Sequence, residues 1–240
     1  MCIIYDVRMY RHREVNLDAF FMPKKQEDNQ LRNRISYIDL CRGDFGRKIA
    51  YTGASRITPN NVIDVLSDTI GIHNRNRSMI DYLYRYYKGD QPILYRKKLV
   101  RPEVNNKVVE NHALEVVKFK AGQIYGEPIQ YVCKKKKANK KVNSQVDLLN
   151  DYLDEANADA RNIQLGVYQS AIGTAYKAIL REENWTEDSD LPPFRIFVPY
   201  PGDVYIIYSN KNGKPMLSVQ ILKDEDNQQY YHCYSENQYF

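Results

Sequence analysis

From Thr58 to Gly173 the apolar residues recur mostly every three or four positions, and from Thr174 onward they alternate with polar ones. These two periods mark helix and strand, because side chains rotate by about 100° per residue on a helix and about 180° on a strand. In ITPNNVIDVLSDTIGIH, the residues Val62, Ile63, Val65, Leu66 and Ile70 make one apolar face, with Thr58 as candidate N-cap and Pro59 at the first helical position. RSMIDYLYRYYKGD predicts a second, separate helix with Ile80, Leu83, Tyr84 and Tyr87 on one side and Gly89 closing it. Pro92 and Pro102 turn QPILYRKKLVRPEV into an expected extended crossover, since the residue before a proline is pushed out of the helical region.

The most regular helical pattern is NNKVVENHALEVVKFKAGQIYG, read as a helix from Val108 to Tyr125. Val109, Ala113, Val116, Val117 and Ile124 share a face, Val108 and Phe119 flank it, and Leu114 falls on the far side. Lys120 and Gln123 interrupt the middle of that face. A helix touched on more than one side, with a polar patch at its C-terminal end, would show this pattern. Lys120 can bury its stem and keep its head wet, or meet a specific buried partner; the first costs less, because an unpaired buried charge is expensive. Gly126 is the expected cap, and Pro128 prevents continuation.

SQVDLLNDYLDEAN reads as a short amphipathic helix, and ADARNIQLGVYQSAIG as another with Ala160, Ile163, Val167 and Ala171 on one face. Gly166 and Gly173 there permit close approach. FRIFVPY, DVYIIYS, PMLSVQIL and QYYHCYS then read as strands separated by PGD and NKNGK turns. Helices first and strands afterwards predict an α+β fold with a mostly antiparallel β-rich part, rather than alternating βαβ units. The expected organisation is an irregular arm over residues 1–57 and one α+β region over 58–240, its helices within 58–173 and its strands within 174–240.

Composition narrows the picture. With 43% hydrophobic and 27% charged residues, 240 positions are enough for one large or two small globular domains. The chain carries 21 tyrosines, residues whose apolar ring and polar tip suit half-buried surfaces, including subunit contacts. The net charge of +5 comes from one place: taking the six lysines of KKKKANKK (Lys134, Lys135, Lys136, Lys137, Lys140 and Lys141) from the 35 basic residues leaves 29 cations against 30 anions. That tract reads as a solvated loop, or more sharply as a sequence-independent contact to a phosphate backbone. No apolar run approaches the ~18 residues of a membrane helix, and the N-terminus turns polar too soon for a signal peptide.

The search for chemistry finds none. Cys2, Cys41, Cys133 and Cys233 form no CxxC pair and read as reduced thiols, and the four histidines are far apart. There is no Walker loop, GxGxxG, HExxH or GxSxG. REENWTEDSD lacks the spacing and glycine of a calcium loop and reads as a solvated turn, with Trp185 as a packing anchor. No catalytic, cofactor-binding or metal residue is expected, and the reading is a non-enzymatic α+β protein.

DYLYRYYKGDQPIL, VRPEVNNKVVENHALEVVKFKAGQIYGEPIQYV, AIGTAYKAIL and FVPYPGDVYIIY are ordered blocks that together resemble the N-terminal half of phage portal proteins of the siphophage type from Gram-positive hosts. The resemblance runs from about Gly43 to the end of the chain and is carried most specifically by the helix-to-GEP junction and the IGTAY block. It implies a structural subunit of a ring, usually of twelve copies, at the portal vertex of the capsid in the virion, made in the cytoplasm of the bacterial host from a phage or prophage gene. Such a ring forms the channel for DNA packaging and ejection and the head-tail connection. Its implied partners are copies of itself, double-stranded DNA bound non-specifically, the terminase large subunit, and scaffold, major capsid and head-tail adaptor proteins, with no membrane and no cofactor. The matching blocks belong to the wing, so the chain is expected to end before the stem and clip. The ring implied by the resemblance makes Val109, Val116, Lys120 and Ile124 candidate subunit contacts; the six lysines are candidate DNA contacts by their charge alone, a role the family does not assign to them. The alternative is a stand-alone, non-specific nucleic-acid-binding module built on the 134–141 tract.

Overall fold

The computed structural model describes residues 4–7 (as backbone), 47–133, 140–182, 185–186, 189, 191–236 and 238–240, with the side chains of 140–142 left undescribed. The class is α+β, as the periodicity predicts: four α-helices and two sheets among these residues. The described residues fall into two compact units, one holding Ile4–Val7 and residues 80–202, the other residues 47–79 and 203–240.

The second unit is built on a four-stranded sheet in the order β2 (Ala50–Thr52), β5 (Val204–Ser209), β6 (Pro215–Lys223), β7 (Gln229–Tyr234). β5, β6 and β7 pair antiparallel, while β2 lies parallel to β5. Alternation sends Leu217, Val219 and Ile221 of β6 inward, where Leu217 stands opposite Ile207, and Val219 and Ile221 stand opposite Cys233 and Tyr231. The first half of α1 (Val62–Tyr87) brings Val62, Val65, Leu66 and Ile70 into the same core. One turn further on, His73 is buried and stacks on Tyr205 with ring centroids 4.4 Å apart, and Arg77 pairs with Asp203 at 2.8 Å.

Two expectations change here. Strands are not confined to 174–240: Ala50–Thr52 joins the C-terminal sheet, and β1 (Ile4–Val7) runs parallel to β3 (Lys177–Arg181). A strand of three or four residues has too few positions for alternation to show, and its partner lies far along the chain. The two helices expected between Thr58 and Gly89 are also one, α1. Residues 59–61 form the turn leading into it, with the Val62 N–H donating to the Thr58 carbonyl. Gly71 inside it costs only about 1 kcal/mol relative to Ala, and the buried stripe carries on through Ile80 and Tyr87. Residues 62–79 of α1 belong to the second unit and 80–87 to the first.

Gly89 ends α1 as expected. Its φ of 92° is left-handed, Gly89 N–H donates to the Tyr86 carbonyl and Asp90 N–H to the Arg85 carbonyl, the paired bonds of a Schellman cap. A short 3₁₀ turn, Pro92–Tyr95, opens the extended crossover. The first unit then continues with α2 (His112–Tyr125), α3 (Lys140–Glu155) and α4 (Ala158–Ile172), and a small sheet in the order β1, β3, β4 (Phe194–Phe197). Leu165, Ala175 and Val198 form its core, with Tyr125 and Tyr168 packed against them. The face of α4 is rotated from the expected one: Asn162, Leu165, Gly166 and Ile172 are buried, whereas Ala160 and Ile163 are exposed. Gly166 explains the rotation. A Cβ there would sit 2.6 Å from the Tyr125 ring, so the glycine side of α4 is the side that α2 can approach.

Three tyrosines complete this unit. Tyr84, Tyr168 and Tyr200 lie mutually edge-on or tilted at 5.3–6.0 Å, the Tyr200 hydroxyl donates to Asp81 at 2.7 Å, and the Lys88 ammonium stands 5.4 Å over the Tyr84 ring. Trp185 is the packing anchor expected of it: it lies edge-on to Tyr152 and donates from Nε1 to the Leu191 carbonyl at 2.8 Å.

Candidate subunit-contact surface

α2 begins later than its periodicity suggests. The Asn111 side chain accepts from Leu114 N–H at 3.2 Å and donates from Nδ2 to the Tyr87 carbonyl at 2.9 Å, capping α2 and tying its start to the end of α1. Val108 and Val109 are therefore outside the helix, and Val109 is half-buried in the crossover. An asparagine cap competes well with helix continuation, so the apolar pair before it did not extend the helix.

The packed side of α2 carries Val117 and Ala121, both buried, with Leu114 and Tyr125 half-buried along the same stripe. Leu114 thus lies toward the core rather than on the far side. The opposite side holds Val116, Phe119, Lys120 and Gln123, all exposed, with Ile124 at its margin. Val116 is 52%, Phe119 68% and Ile124 60% exposed, so the described residues leave them largely uncovered. Of the four candidate contacts, Val116, Lys120 and Ile124 are brought onto one outer surface, and Val109 is not. Phe119, expected only to flank, is the largest apolar group of that surface. Lys120 is exposed, which removes the buried-partner reading, and no ion pair joins it to another of the described residues.

The end of α2 answers to sterics. Gly126 caps at φ −70°, not in the left-handed region, but a Cβ there would stand 2.2 Å from the Gly122 carbonyl oxygen. Glycine is needed because the backbone closes on itself just before Pro128.

At the other end, His112 sits between Glu115 (Nδ1 to Oε2, 3.1 Å) and Glu110 (Nε2 to Oε2, 3.2 Å). Hydrogen bonding to Glu115 first, and to Glu110 second, raises its pKa above the ordinary 6.5. A raised folded pKa means that the stabilisation is complete below the ordinary imidazole pKa and is lost as pH rises through the raised one. An NMR titration should therefore place His112 above 6.5, and Glu115→Gln should move it back down; an unmoved midpoint in the variant would show that the carboxylate does not hold the proton.

Lys134 to Lys137 lie outside the described residues; Lys140 and Lys141 open α3, and their side chains are undescribed. Cys133 and Cys233 are free, and burial pushes the Cys233 thiol up to about 12, leaving it a protonated core group rather than a nucleophile. Among the described residues no group of three His, Cys, Asp or Glu could hold a metal ion, and no helix is long and apolar enough to cross a membrane.

The family model described as "Phage portal protein, SPP1 Gp6-like" matches residues 66–240, and the chain belongs to that phage portal family. The role the family brings is structural. No curated protein matches the chain.

Proposed function

We propose that this chain is a ring-forming subunit of the portal at a capsid vertex, with the outer side of α2 covered by the neighbouring copy. The observation that carries the reading is α2 itself: Val117 and Ala121 already satisfy its packing within the chain, yet Val116, Phe119 and Ile124 leave a second apolar side open on a protein of the portal family. Several large exposed apolar side chains on one side of a helix make a surface that association can cover. Repetition of one head-to-tail contact closes a ring when the rotation between copies divides a full turn. The family reading gives the ring its task, passage of double-stranded DNA during packaging and ejection, with the terminase motor on one side and head-tail adaptor proteins in contact with it. Sedimentation velocity of the full chain tests the assembly: a species many times the mass of the monomer is expected, and a chain that stays monomeric at its highest working concentration would overturn the proposal.

A further inference from the structure

We propose that a basic strap within residues 96–104 of one copy docks on the acidic outer side of α3 of the next copy. This rests on the ring reading above and adds to it a second, electrostatic contact.

The strap lies in the crossover between α1 and α2. Arg96, Lys97, Lys98 and Arg101 are exposed along it, and so are Leu99, 95% accessible, and Val100. Two lysine ammoniums hold its shape, Lys98 Nζ donating to the Val104 carbonyl at 2.8 Å and Lys107 Nζ to the Leu94 carbonyl at 2.6 Å. Arg101 takes a left-handed φ of 52°, an unfavourable conformation for a side-chain-bearing residue, and its carbonyl accepts from Val104 N–H at 3.1 Å. The chain spends conformational energy to turn a strip of cations and bare aliphatic groups toward solvent. No carboxylate among the described residues pairs with Arg96, Lys97 or Arg101.

The complement is on α3 of the same unit. Asp147, Asp151 and Asp154 lie within about 60° of one another at 100° per residue, and all three are exposed beside Leu148. The stripe of Val146, Asn150 and Leu153, turned about 100° from the aspartates, is half-buried, and Asn150 exchanges two 3.0 Å hydrogen bonds with the Tyr131 backbone, which shows a side that faces the chain. The placement of charge on α3 does not serve the helix. Lys140 and Lys141 occupy its first turn, Asp154 and Glu155 its last, the reverse of what the helix dipole favours. Nor do the three aspartates find a cation within the described chain. Opposite charges left unneutralised on two surfaces of one subunit, each with exposed leucine beside it, are complementary between copies in a head-to-tail arrangement.

A charge swap tests this on the full chain. Lys97→Glu with Arg101→Glu should raise the concentration at which assembly is half complete about a hundredfold, since close charge pairs across interfaces couple by roughly 1.5 kcal/mol or more each and 1.4 kcal/mol is tenfold. Asp147→Lys with Asp151→Lys should do the same, and the four changes together should recover most of the loss. All four positions are exposed, so circular dichroism should stay unchanged. A monomeric unaltered chain would fell both this contact and the ring reading. A chain that assembles normally with either reversed surface, or fails to recover in the swap, overturns the contact and leaves the ring reading standing. Unchanged assembly together with weaker, less salt-sensitive binding of duplex DNA would assign the strap to phosphate instead, and would equally overturn the proposal.

Discussion

Replacing Val116 with Asp is expected to hold the protein as a monomer while its helices and sheets remain intact. Within one chain Val116 is half-exposed, so the new carboxylate meets water and the fold loses only the propensity difference, under about 1 kcal/mol. In the assembled ring the same carboxylate would be desolvated against an apolar partner surface with nothing opposite it, and an unpaired buried charge at an interface costs about 2–5 kcal/mol per contact. At 1.4 kcal/mol for each factor of ten, that weakens each contact some thirty- to several-thousandfold, and the loss is repeated at each interface of a ring. Sedimentation velocity reads the assembly and far-UV circular dichroism reads the fold. An unaltered oligomer would remove α2 from the interface. Lys120→Ala is the control, since an exposed lysine among these residues can keep its ammonium in water and contributes little, and its assembly should match that of the unaltered protein.

The opposite behaviour is expected of Leu217→Ala. Leu217 is 1% exposed, the third residue of β6, and stands opposite Ile207, which is fully buried, so truncation removes apolar contacts and leaves a cavity that the paired strands cannot collapse around. Leu→Ala at such a site costs about 2–5 kcal/mol, a large share of the about 5–15 kcal/mol that holds a domain together. Urea titration followed by tyrosine fluorescence should show the midpoint fall with little change in slope. A shift worth less than about 1 kcal/mol would mean that the β5–β6 core is loosely packed. The two substitutions thus separate what the fold needs from what the assembly needs: one acts within a chain, the other only between chains.

How much of this was legible in the sequence varied by element. β5, β6 and β7 were legible as strands because they pair with near neighbours; β6 and β7 alternate with one buried face, while β5 is buried along nearly its whole length, so its inward side could not be read from alternation. The Gly89 cap was equally readable, since a glycine after an amphipathic helix is a local signal and the closing bonds span only a few residues. β1 and β2 were not readable, because what makes them strands is a partner more than 150 residues away. The buried side of α4 was misassigned because small residues carry little hydrophobic signal, and Gly166 acts through the Tyr125 ring, a contact that only the fold creates. The candidate contact face suffered similarly. Val116 and Val117 are adjacent and equally apolar, and periodicity gave them one face, while packing against α4 buries the second and leaves the first outside. The strap at 96–104 went unremarked because its cations are mixed with aliphatic residues, whereas the lysine run at 134–141 stands out by composition alone.

By itself, then, the sequence determined the α+β class, the existence of most helices and strands, and the portal family, all of which follow from local periodicity and ordered motif blocks. Only the tertiary structure decided which side of α2 stays uncovered among the described residues, that α1 is a single helix, and that basic and acidic surfaces without ion-pair partners among the described residues stand on the same unit. The physical reason is that hydrophobicity says a side chain prefers to be covered but not by what. Whether the cover comes from the same chain or from a neighbour depends on where the rest of the chain has already packed.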